Sequence, residues 1–179
     1  MAMLRRLSGR FRFFRRFRKD QSGASAVEFG FVAMPFFALM FAIIETSLTF
    51  FTSQILETAV SDASRLLMTG QAQNAGMSAA QFKNQVCAGL PAFFDCQNKV
   101  QVDVRTYTAY LGSDTNRPLT NGLVNWVPQY NPGGKGDIVV VRAIYPMPTY
   151  TNFYGQSLAN MSDGSLLLMA SSAFKNEPF

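Results

Sequence analysis

Twenty-eight consecutive residues, Ala24 to Phe51, are almost all apolar or small, and only Glu28, Pro35 and Glu45 stand out from them. A helix needs about 20 such residues to cross the hydrocarbon core of a bilayer, so the run predicts a membrane-spanning helix. A cleaved secretory signal is the competing reading. Its apolar core is shorter and ends at a small-x-small site. Here Ala42 follows Met40 and Ser47 follows Glu45 at the critical spacing, so neither offers a good cleavage position.

The residues before this run hold the whole basic excess of the chain. Arg5, Arg6, Arg10, Arg12, Arg15, Arg16, Arg18 and Lys19 against Asp20 give residues 1–20 a charge of +7, which leaves −2 for the rest of a chain that totals +5. Positive charge on one flank of a span holds that flank in the cytoplasm, so the body is expected outside. Arg alternates with Phe and Leu between Leu4 and Phe17, a pattern suited to lying on an anionic lipid surface. Nucleic acid is not an expected partner, because a protein that reads phosphates carries Lys and Arg on its folded face.

Beyond the apolar run the helical period continues. Ile55, Ala59, Ala63 and Leu67 recur every four residues, joined by Leu56, Val60 and Leu66, while Gln54, Glu57, Asp62 and Arg65 occupy the other side. This predicts one helix from Ala24 to Thr69, about 70 Å long, closed by Gly70. Pro35 removes a backbone donor and predicts a kink or loosening near Phe31. Ser78 and Gln81 have the spacing of a capping box for a short helix to about Ala88.

Strands follow the helices. Val100, Val102 and Val104 alternate with Gln101, Asp103 and Arg105 in a half-buried strand from Lys99 to Tyr107. Residues 111–136 read as loop, with Trp126 as a large anchor and Asn131-Pro132-Gly133-Gly134 as a turn. Asp137 to Tyr145 is a second strand, buried on both faces and terminated by Pro146 and Pro148. Ser165 to Lys175 is a third. The expected fold class is α+β, with a long N-terminal transmembrane helix that continues as an amphipathic stalk against a small antiparallel sheet of about three strands. The expected division is a leader (1–23), a span (24–51) and an extracytoplasmic head (52–179) that includes the helix extension 52–69.

The residues offer little for catalysis. The chain has no histidine and two cysteines, which excludes imidazole acid–base chemistry and leaves too few strong ligands for a structural zinc site. No cofactor, metal site or enzymatic activity is expected. Gly133-Gly134-Lys135-Gly136 lacks the first glycine and the Ser or Thr of a phosphate loop. Asp95, Asp103, Asp114 and Asp163 are scattered and read mostly as surface carboxylates. Outside the cytoplasm Cys87 and Cys96 suit a disulfide that pins the short helix to the following loop. Two free thiols buried as small hydrophobes are the alternative.

Taken together, the basic leader, Gly23-Ala24-Ser25-Ala26-Val27-Glu28-Phe29 running into Phe31 to Ile44, and the closing Phe174-Lys175-Asn176-Glu177-Pro178-Phe179 resemble the TadE-like minor pilins, or pseudopilins, of the tight adherence (Flp pilus) system. The resemblance implies cleavage by a prepilin peptidase between Gly23 and Ala24, which makes Glu28 the fifth mature residue. A neighbouring subunit's new α-amine is then a natural partner for Glu28. Phe29 stands where the major Flp pilins carry tyrosine, and with the long body it argues for a minor subunit. The implied function is assembly of a pilus used in surface adhesion and biofilm formation. The implied partners are other Tad pilus subunits, the inner-membrane assembly platform, the peptidase and membrane lipids. The implied location is the bacterial inner membrane, single-pass with a periplasmic body, or the surface pilus. The alternative is an uncleaved, membrane-anchored module whose head binds an extracytoplasmic ligand.

Overall fold

The computed structural model describes residues 23–110, 116–151 and 157–179. Residues 1–22 of the expected leader, and Asp114, lie outside them. The chain divides into two compact units, residues 1–42 and 43–179.

Helix α1, Ala24–Met68, begins at the predicted residue and ends one residue before the expected Thr69. Pro35 lies inside it, and the helix is unbroken there. In the first unit its large apolar side chains, among them Phe29, Phe31, Val32, Met34 and Phe36, are exposed. It is long and apolar enough to cross a membrane, and none of its most apolar 18-residue window is buried by protein.

In the second unit the same helix has one buried stripe. Leu56, Ala59, Val60, Ala63 and Leu67 enter the core, with Ile55 and Leu66 packed at its margin. Gly70 ends the helix in the left-handed region with φ 75°, where glycine adopts the backbone without the Cβ cost. A Cβ there would fall within the ring of Phe179. Short helix α2, Gln71–Asn74, follows, and then α3, Ala79–Ala88, with the capping box of Ser78 and Gln81. A 3-10 turn, Ala92–Phe94, and α4, Cys96–Lys99, lead into the sheet.

The main sheet has three antiparallel strands, β1 (Gln101–Tyr107), β4 (Ile138–Pro148) and β5 (Ser165–Lys175), with β4 in the middle. Val104, Val139, Val141, Ala143 and Tyr145 join α1 and Phe82 of α3 in one core. The predicted stop at Pro146 is corrected: β4 runs on to Pro148. The register gives the reason. β1 pairs with β4 only as far as Ile144, whereas β5 continues to Pro148. Beyond Ile144 one edge of β4 has no β1 neighbour, and proline, which lacks an N–H, is tolerated at such an edge.

Residues 116–136, within the stretch read as loop, also hold more structure than expected. A small hairpin pairs β2 (Leu119–Thr120) with β3 (Leu123–Val124). Asn121 and Gly122 turn it with φ 51° and 75°, as an Asn-Gly hairpin turn requires. The segment after it crosses the edge of β1, where Val104 donates to Gln129 O at 2.8 Å and accepts from Asn131 at 2.9 Å.

Candidate processing and assembly segment

Gly23 forms the turn immediately before α1 and Ala24 is the first helical residue. Both are exposed. Gly23 O accepts the Val27 N–H at 3.1 Å, the first turn of the helix. A Cβ on Gly23 would meet nothing within 4 Å. An exposed glycine at the boundary of a helix is open to another protein, and the helix after it starts without an acidic residue in its first turn. Glu28 lies one turn on from Ala24. It is exposed, as is Phe29 beside it, and among the described residues it makes no ion pair or side-chain hydrogen bond. The structure therefore places Gly23 in the turn before α1 and Ala24, Glu28 and Phe29 on its accessible first turns.

Glu45, the second carboxylate of the apolar run, is placed very differently. It is only 5 % exposed. Its Oε1 accepts the N–H of Tyr150 at 2.7 Å and its Oε2 accepts the N–H of Thr151 at 3.0 Å. Two successive backbone donors thus close on one carboxylate, and charge-assisted bonds of this kind are the stronger class. From the sequence, Glu45 is expected near the outer membrane interface, where helix packing and a partner contact suit it equally. The structure gives it to a loop of its own chain.

Cys87 and Cys96 are joined by a disulfide with a Cα–Cα distance of 5.7 Å. It ties the last turn of α3 to the start of α4. Behind it, Gly89 brings α3 close to α1: a Cβ there would stand 3.1 Å from that of Ala59.

Asp103 corrects the reading of a surface carboxylate. It and Arg142 face each other across β1 and β4 and are 0 % and 2 % exposed. Arg142 Nη2 lies 2.8 Å from Asp103 Oδ2, and Arg105 Nε lies 2.9 Å from the same oxygen. Gln129 N–H donates to Asp103 Oδ1 at 2.7 Å. Trp126 covers the pair, with the Arg142 guanidinium 5.0 Å from the centre of its ring and its own indole N–H donating to Gln101 at 2.8 Å. The alternation in β1 is correct in phase, but its polar face is covered by the 126–129 segment, which strand periodicity does not report.

The C-terminal residues close the same unit. Asn176 is buried and its Nδ2 donates to Pro132 O and Gly134 O at 3.0 and 2.9 Å. Glu177 N–H donates to Met68 O, the end of α1, at 2.8 Å. Asp163, in the turn before β5, is held below the usual carboxylate range by the hydroxyl and then the N–H of Ser165. No group of three or more metal-ligating side chains occurs among the described residues.

The accessible start of α1 and its one-sided continuation coincide with a known pattern. Residues 23–65 match the family model for TadE-like proteins. The TadE-like segment begins at the exposed Gly23, contains Ala24, Glu28, Phe29 and Glu45, and ends before the strands. That family is associated with Tad pili. No curated protein and no solved structure matches the chain.

Proposed function

We propose that this chain is a minor pilin, or pseudopilin, that takes part in building a Tad/Flp type IV pilus for surface adhesion and biofilm formation. The observation that carries the reading is the coincidence of the TadE-like match, which starts at residue 23, with the helix start at Ala24. In this reading the prepilin peptidase cuts between Gly23 and Ala24, the basic leader stays in the cytoplasm, and the body stands in the periplasm. The leader is residues 1–23, the span 24–51 and the head 52–179. The other Tad subunits and the inner-membrane assembly platform are its partners, and its role is structural with no catalysis of its own.

Glu28 has a physical task in this scheme. A carboxylate near the end of a span is costly when unpaired, and cleavage creates a cationic α-amine on Ala24 of each subunit. Pairing Glu28 of one subunit with the amine of the next relieves that cost and sets the axial register between helices. Glu28→Ala is expected to insert into the membrane normally and to fail in processing or in entry into the pilus. Membrane fractionation, immunoblotting for the shortened form and pilus counts by electron microscopy test this. Normal processing together with normal pili would contradict the role of Glu28.

A further inference from the structure

The apolar run is longer than a bilayer needs, and Glu45 divides it. Ala24 to Ile44 alone, 21 residues, rises about 32 Å, against a hydrocarbon core of about 30 Å. At 100° per residue Glu45, Thr49, Thr52 and Leu56 share one side of α1, and Glu45, Thr52 and Leu56 are buried against the folded unit. Ile43, Ile44, Phe50 and Phe51 point away from that side, Leu48 flanks it, and all five are exposed. Tyr150, whose N–H is held by Glu45, is 77 % exposed. The folded unit thus reaches down the helix as far as Glu45 and presents an aromatic residue at that level.

We propose that the clamp of Glu45 on Tyr150 and Thr151 marks the outer edge of the hydrocarbon layer, and that the loop it holds rests on the lipid surface with Tyr150 among the headgroups. The inference rests on reading α1 as a membrane span. It moves the end of the span from Phe51 to about Ile44. The occupant of the exposed apolar surface is lipid, because exposed large apolar side chains recur from Val27 to Phe51 along one helix that is apolar enough to cross a membrane. Leu48 to Phe51 lie about 4–9 Å past Glu45, which falls in and just beyond the interfacial layer of about 5–8 Å on each side. Tyrosine is enriched at that depth because its ring is apolar and its hydroxyl is not. The clamp gives the carboxylate two fixed donors at the point where it would otherwise meet hydrocarbon.

The full chain in phosphatidylethanolamine and phosphatidylglycerol vesicles tests this by tryptophan quenching with bromines placed near the carbonyl end or near the methyl end of the acyl chains. Three proteins are compared: the unchanged chain, which reports Trp126, Tyr150→Trp and Leu39→Trp. The two substituted positions are exposed, so the fold is retained. The emission added by Tyr150→Trp is expected to be lost with the shallow bromines and kept with the deep ones, while Leu39→Trp loses its added emission with the deep bromines and Trp126 loses none. Added emission of Tyr150→Trp kept with both sets overturns the inference and leaves that surface to a protein neighbour. Equal or greater loss with the deep bromines also overturns it, since the loop would then lie within the hydrocarbon. Added emission of Leu39→Trp kept with both sets overturns the span itself, and the inference with it.

Discussion

Glu45 Oε2 accepts the Thr151 N–H at 3.0 Å although the two residues are 106 apart in sequence. With Tyr150 held by the other oxygen, one side chain of the apolar run fixes the loop that follows β4. Glu45→Ala is expected to leave both N–H groups without their acceptor and to lower stability by about 2 kcal/mol. Hydrogen exchange of the peptide containing Tyr150 and Thr151 should become faster by more than that of β4. Unchanged exchange at those two amides would contradict the clamp.

The Asp103 and Arg142 pair is buried, so its two halves depend on each other. Asp103→Ala removes the buried carboxylate that Arg142 and Arg105 share and is expected to cost about 3–5 kcal/mol. Replacing both residues, as Asp103→Leu with Arg142→Met, should recover most of that loss, because an apolar pair of similar volume carries no desolvation penalty. Urea unfolding in detergent micelles, followed by the near-ultraviolet signal of Trp126, measures both. A double variant no more stable than Asp103→Ala would show that the remaining polar groups, Arg105 and Gln129, decide the energetics.

The disulfide closes a loop with a sequence separation of 9. In the chain-entropy description its removal costs about 2.5–3 kcal/mol. Cys87→Ser combined with Cys96→Ser is expected to lower the urea midpoint accordingly, and reductant should do the same to the unchanged chain and nothing further to the variant.

Tyr145 gives the head a predictable alkaline limit. Burial, followed by the nearby Tyr150 and Asp95 charges, pushes its hydroxyl above the ordinary tyrosine value. Both the folded and the unfolded chain keep this proton below about pH 10, so its full contribution is present there. As pH rises past the unfolded value the unfolded chain loses its proton first, and stability falls until the folded pKa is passed. Tyr145→Phe should flatten this decline above about pH 10 in pH-dependent unfolding. An unchanged slope would exclude Tyr145 as its source.

Much of the frame is legible in the sequence because it depends on local pattern. The stripe from Leu56 to Leu67, the capping box at Ser78 and the phase of β1 all follow from periodicities of about 3.6 or 2 residues and from cap chemistry. What the sequence hides depends on distant partners. Pro146 and Pro148 read as strand breakers, and only the register of β1 shows that the open edge admits them. Asp103 reads as solvated, because nothing near it in sequence announces that Trp126 covers it. The Asn121-Gly122 turn is a signal present in the sequence but submerged within a loop-like stretch. Of the candidate site, Gly23, Ala24, Glu28 and Phe29 are legible from their order along the chain. The burial of Glu45 is not, since its two donors lie more than a hundred residues away.

Cleavage between Gly23 and Ala24 is what separates a processed pilin subunit from a plain membrane anchor, and the mature N-terminus reads it out. Purification of the native protein from membranes and sheared pili, followed by N-terminal peptide mass spectrometry, reads it without any substitution. A first residue of Ala24 is expected. An intact chain beginning at Met1 or Ala2 in every fraction would contradict it and leave a membrane-anchored module in its place.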